Sequence, residues 1–127
     1  MKLRLGFCVM LWLALSMSAT WAWAQQQWTS DDVRQAARNA RHVREVTCIF
    51  TVEVGGSGFN PYTPHSDDRI VGPGGLSSVG LLSQFRTRGY DDPYSPYEVA
   101  AFIDTVLDDG NGGNWPYLKT WIETGRC

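Results

Sequence analysis

The feature that most constrains this chain is an abrupt change of character at Gly55. Upstream of it, Val33, Ala36, Ala37, Ala40, Val43, Val46 and Phe50 recur at spacings of three and four. That spacing places them along one stripe of an α-helix. Thr29 or Ser30 caps its start, and Asp31 and Asp32 suit the positive end of the helix dipole. Arg34, Arg38, Arg41 and Arg44 fall on another face, which reads as a solvated one. Downstream, Gly55-Gly56-Ser57-Gly58 stops the helix near Glu53-Val54, and Asn60-Pro61, Thr63-Pro64 and Gly72-Pro73-Gly74-Gly75 follow. Glycine and proline at that density mark turns and loops as far as Gly80, with short β-ribbon pieces around Arg69-Ile70-Val71. So long an irregular stretch inside a small domain is usually functional or a misread element.

Helical patterning then resumes. Leu81-Leu82-Ser83-Gln84-Phe85 starts a second helix that stops at Gly89. Ser95 caps a third, with Pro96 at its first position and Glu98 completing a capping box. Val99, Phe102, Ile103, Val106 and Leu107 form its stripe, and Gly110 ends it. Asn114 caps a last helix with Trp115, Leu118, Trp121 and Ile122 on one side, closed by Gly125. The expected fold class is mainly α, with one long irregular or β-ribbon segment after the first helix.

The N-terminus has three zones. Lys2 and Arg4 are followed by an apolar run from Leu5 to Leu15, then by small residues in Ala22-Trp23-Ala24. This is the pattern of a cleavable signal peptide over residues 1–24, leaving 25–127 as one domain that is secreted or periplasmic. The competing reading is an uncleaved anchor. The apolar run is short of the ~20 residues that span a bilayer, so no stable span is expected after cleavage. Removing Lys2 and Arg4 leaves nine basic residues against thirteen acidic ones, a formal charge of −4. That balance argues against nucleic acid as a partner. Cys8 leaves with the leader. Cys48 and Cys127 are then expected to pair as one disulfide in the oxidising compartment, the alternative being a buried thiol and a frayed terminal one. A bridge closing a loop of that size contributes up to about 4 kcal/mol in the chain-entropy picture.

Glu53 is the candidate for chemistry. It stands at the end of the first helix, after Cys48-Ile49-Phe50-Thr51-Val52 and before the glycine turn. A carboxyl among apolar groups tends to keep its proton, which suits a general acid. The bland alternative is a solvent-facing glutamate at a fraying helix end.

Val52-Glu53-Val54-Gly55-Gly56-Ser57-Gly58-Phe59-Asn60-Pro61-Tyr62 resembles the signature of lysozyme-like lytic transglycosylases. There a helix ends in the catalytic glutamate, and a Ser/Gly turn, an aromatic residue and Asn/Asp-Pro follow. The segment from Gly80 to Phe85, then Arg88-Gly89-Tyr90-Asp91-Asp92-Pro93, then Ser95 to Phe102 is similar to small exported members of that superfamily. Gly112-Gly113-Asn114-Trp115-Pro116 is similar to their closing Gly-x-x-Trp segment. The resemblance spans about residues 30–127. It implies a lysozyme-like α+β fold with a groove for peptidoglycan glycan strands. It implies that Glu53 protonates the oxygen of the β-1,4 bond between N-acetylmuramic acid and N-acetylglucosamine, without a cofactor. In hydrolases a second carboxylate assists; here Asp67 and Asp68 are the candidates, although adjacent aspartates before Arg69 also read as turn residues. In transglycosylases the glutamate acts alone and the muramic C6 hydroxyl closes a 1,6-anhydro ring. The chain departs from the family at Gly75, where a groove-wall glutamine is usual, and Gln84 lies further on.

Candidate substrate contacts are Ser57, Phe59, Tyr62, Gln84, Tyr90 and Trp115, the aromatic ones because their faces suit sugar rings. Tyr117 and Trp121 share that chemistry, though Trp121 at helix spacing with Leu118 reads as core. His42 and His65 stand alone in the sequence, so no zinc site is expected. The competing function is a non-catalytic module that binds cell-wall glycan in the same groove.

Overall fold

A computed structural model of the chain describes residues 26–127. The expected signal peptide and its cleavage site therefore lie outside the described residues. Within them the chain is mainly helical, with a two-stranded ribbon. Helix α1 (Ser30–Asn39) begins with a complete capping box. The Thr29 hydroxyl accepts from the Asp32 N–H, and the Asp32 carboxylate accepts from the Thr29 N–H at 2.7 Å.

The single long helix expected from the apolar stripe is two helices. Ala40 turns to extended backbone (φ −67°, ψ 153°), and α2 runs Val43–Val54. Neither glycine nor proline marks the break. Its cause is tertiary: the buried carboxylate of Asp104, on helix α4 (Pro96–Asp108), accepts from the backbone N–H groups of Arg41 at 3.0 Å and His42 at 2.9 Å. Donors at a helix start have no partner within the helix, and an anion there also suits the helix dipole. Arg41 reaches on to Asp108 at 2.7 Å, and His42 Nδ1 lies 3.1 Å from Asp104. The break lets Val33, Ala36 and Ala37 of α1 and Val46, Ile49 and Phe50 of α2 join one core with Val99, Phe102, Ile103 and Val106 of α4. Burying each large side chain there contributes about 1.5–3 kcal/mol.

Strands β1 (Ile70–Val71) and β2 (Leu76–Ser77) pair antiparallel, Ile70 opposite Ser77 and Val71 opposite Leu76. Helix α3 (Leu81–Thr87) follows and turns out at Gly89, whose φ is +89°. Ser95 caps α4, its hydroxyl accepting from the Glu98 N–H. Glu98 does not close the expected capping box. Its carboxylate instead accepts from the N–H groups of Asp91 and Asp92 at 2.8 and 2.9 Å, fastening the loop ahead of the helix. The last helix also starts later than expected. Gly112–Asn114 is one 3-10 turn, and α5 is Leu118–Glu123. Trp115 precedes a proline, which disfavours helical backbone, and it sits at φ −119°, ψ 84°. Cys48 and Cys127 form a disulfide across 79 positions, with their Cα atoms 5.0 Å apart. It fastens the chain end beyond α5 to the middle of α2. Among the described residues no helix is long and apolar enough to cross a membrane.

Candidate functional site

Helix α2 buries Val46, Ile49, Phe50 and Val54. Glu53 lies beside that stripe on the last turn, with its side chain 19% exposed. The turn between β1 and β2 closes over it. Gly75 has φ +63°, and a Cβ added there would lie 2.4 Å from the Glu53 carboxyl carbon. Glycine at 75 suits its left-handed backbone, and it leaves the space in which the Glu53 carboxyl sits. Any side chain there would displace the Glu53 carboxyl from this position. The turn is held on both sides. At Gly72 (φ +73°) an added Cβ would fall 1.8 Å from the Pro93 carbonyl oxygen, and the Gly74 carbonyl accepts the Trp115 indole N–H at 3.2 Å.

Two side chains address the carboxyl. The Tyr117 hydroxyl, just before α5, donates to Glu53 Oε1 at 2.8 Å. Burial above all, then the Glu53 charge and this hydrogen bond, push the Tyr117 phenol far above its ordinary range. It therefore remains a neutral donor. On the other side, His65 Nδ1 lies 3.8 Å from Glu53 Oε2, and His65 Nε2 is 2.9 Å from the Gly72 carbonyl oxygen.

A cleft of about 290 Å³ shares His65 and Gly72 with this arrangement. Tyr62, Asp68, Val71 and Tyr94 also line it, whereas Glu53 is not part of its lining. Tyr62 stacks on Tyr94 with ring centroids 5.4 Å apart. Its hydroxyl accepts from the Trp28 N–H at 2.7 Å and donates to the Gln26 carbonyl at 3.1 Å. Asp68 is exposed. Asp67 is held by Arg69, whose Nε lies 2.9 Å from Oδ1 and whose terminal nitrogen lies 2.6 Å from Oδ2. The Arg69 side chain, and then its backbone N–H, lower the Asp67 carboxyl to about 2. Asp67 is thus an ionised turn residue, unsuited to donating a proton.

The remaining sequence candidates lie apart. Ser57 and Gln84 are exposed, on the 3-10 turn after α2 and on α3. Phe59, at φ +62°, carries the Arg34 guanidinium over its ring at 4.9 Å. It lines a separate apolar cleft with Val33, Ala37 and Phe50. Tyr90 packs between Phe85 and Phe102. Trp115 is 2% exposed, and a larger cleft of about 510 Å³ runs along it with Leu118 and Ile122. The two residues that address Glu53 were not legible as such. His65 has no chemical neighbour in its own segment, and Tyr117 is 64 positions from Glu53. Among the described residues no group of three or more His, Cys, Asp or Glu is placed to hold a metal.

No protein-family model, no curated protein and no solved structure matches this chain.

Proposed function

We propose that this chain cleaves peptidoglycan glycan strands outside the cytoplasm, on a lysozyme-like fold, with Glu53 as general acid and then base. The observation that carries the reading is the placement of Glu53. Its carboxyl ends α2 beneath the Gly72–Gly75 turn, and Tyr117 orients one of its oxygens. An acid held this way can protonate the glycosidic oxygen between N-acetylmuramic acid and N-acetylglucosamine. Tyr62 and Tyr94 offer aromatic surface for a sugar ring in the adjoining cleft. The environment of Asp67 supports a mechanism resting on one carboxylate. In that mechanism the muramic C6 hydroxyl attacks the anomeric carbon and returns a proton to Glu53. Asp68, which lines the cleft, is the group that a two-carboxylate hydrolase would use.

A second reading follows from the cleft lining, which omits Glu53: the same surface binds wall glycan without turnover. Digests of purified sacculi resolved by mass spectrometry decide among these. Glu53→Gln should abolish cleavage while leaving wall binding, since acid–base assistance is worth about 100- to 10,000-fold. Anhydro-muropeptides identify the transglycosylase route, and reducing ends identify hydrolysis. Loss of cleavage in Asp68→Asn with an intact fold would move the mechanism to two carboxylates. Binding without cleavage by the unmodified protein would establish the second reading.

A further inference from the structure

Two links join helix α2 to the C-terminal segment, and they run in antiparallel order. Cys48 is bonded to Cys127, beyond α5, and Glu53 Oε1 accepts the hydroxyl of Tyr117, just before α5. At about 1.5 Å per residue the two anchor points on α2 lie about 7.5 Å apart along the helix. Helix α5, with six residues, spans a similar length between the other two ends. So short a helix does not hold itself in water, and its ends are set by what they are tied to. Between the two links the side chains form one chain of contacts. The Trp121 and Tyr117 rings meet edge to face, with centroids 6.1 Å apart. The Arg126 guanidinium lies over the Trp121 ring at 5.7 Å, and the Arg126 N–H donates to the Trp121 carbonyl at 2.9 Å. Cys127 is the next residue, so the bridge also holds Arg126 in place. Trp121 is half-buried, and it lines neither the cleft along Trp115 nor the one beside His65.

From this geometry we infer that Trp121 is a positioning residue: braced by Arg126 and by the Cys48–Cys127 bridge, it aims the Tyr117 hydroxyl at Glu53. Tyr117 needs such a brace. The backbone ahead of it is held, because the Trp115 indole N–H donates to the Gly74 carbonyl at 3.2 Å. Its ring still turns about two side-chain torsions, and χ2 of a tyrosine is a broad one. The hydroxyl stands at the far end of both, so a small rotation carries it out of hydrogen-bond range of Oε1. A second ring packed against the first restricts those rotations, and coupling of this kind travels through packed side chains. The inference rests on the glycan-cleaving reading only for its catalytic consequence. There, a loosened Tyr117 lets the Glu53 carboxyl turn away from the glycosidic oxygen.

Carbon-13 NMR of the Glu53 carboxyl tests the contact directly, in glutamate-labelled protein with the signal assigned by Glu53→Gln. Tyr117→Phe sets the change in chemical shift that loss of the hydrogen bond produces. Trp121→Leu keeps an apolar side chain on α5 but removes the ring, and should reproduce at least about half of that change. Trp121→Phe restores an aromatic edge and should return the signal toward its unmodified position. Adding Trp121→Leu to Tyr117→Phe should change nothing further, the non-additivity of two residues acting through one bond. Ile122→Ala loosens the other side of α5, in the cleft along Trp115, and should leave the signal in place. If Trp121→Leu does not fold, Arg126→Gln, which keeps both Trp121 and the bridge, should move the signal in the same direction. A signal unmoved in the folded variant, or moved as far by Ile122→Ala, overturns the proposal. Cleavage supplies the second arm. Trp121→Leu should lower kcat about 10- to 100-fold with little change in KM, as for a misaligned reacting group. An unchanged kcat refutes the catalytic consequence and leaves the glycan reading standing. An unmodified protein that cleaves no glycan refutes that reading, and the carboxyl signal still decides whether Trp121 aims Tyr117.

Discussion

Substituting Gly75 with alanine separates the site from the general cost of a left-handed residue. The new Cβ would fall 2.4 Å from the Glu53 carboxyl carbon and 2.8 Å from Oε1. Glu53 is flexible enough to swing away, so the clash itself is relieved cheaply. What is lost is the hydrogen bond from Tyr117, worth about 1.5–3 kcal/mol for a bond to a charged group. The left-handed backbone at φ +63° adds about 1–2 kcal/mol. Gly58→Ala provides the reference, because at φ +70° it carries the same backbone strain with open space around the new Cβ. A domain of this size loses about 4–8 °C of melting temperature per kcal/mol. Thermal unfolding followed by circular dichroism should therefore show Gly75→Ala melting about 10 °C below Gly58→Ala. On the proposed glycan-cleaving function, cleavage of sacculi by Gly75→Ala should fall about 100-fold or more, as for a reacting group displaced by an ångström. Equal melting temperatures in the two variants would show that the carboxyl is not held against the turn, and the account of the site would fail.

Three further outcomes are expected. Asp104→Ala leaves the N–H groups of Arg41 and His42 without their acceptor and should cost about 2–4 kcal/mol in urea denaturation, given about 1.5–3 kcal/mol for a charged hydrogen bond plus a lost cap; a change below 1 kcal/mol, on the order of an exposed substitution, would contradict its role in breaking the helix. Replacing Cys48 and Cys127 by serine should lower stability by up to about 4 kcal/mol in denaturant melts, the chain-entropy value for a loop of this length; unchanged melting would show that the bridge does not constrain the unfolded chain. Tyr117 titrates far above its ordinary value in the folded state, so unfolding becomes favoured as pH rises past about 10, where only the unfolded phenol ionises. Melting temperature measured against pH should fall above that point, and Tyr117→Phe should remove part of the fall.

Much of the helical content was written locally. Thr29 and Asp32 close a capping box within four residues, and Ser95-Pro96 starts α4 through its own backbone geometry. The turn glycines stop helices because left-handed backbone is available to them at little cost. The placement of Glu53 at a helix end was legible for the same reason, since the 3-10 turn Gly55–Ser57 follows one residue after it. What the sequence did not disclose depends on groups brought together across the chain. The apolar stripe from Val33 to Phe50 satisfies one helix as well as two, and only a carboxylate 62 positions away from His42 breaks it at Ala40. Tyr117, His65 and the bare face of Gly75 surround Glu53 from three separate segments. Local sequence determines backbone conformation through sterics and nearby hydrogen bonds. The surroundings of a carboxyl are decided by which distant segments pack against it, and that is a property of the tertiary structure alone.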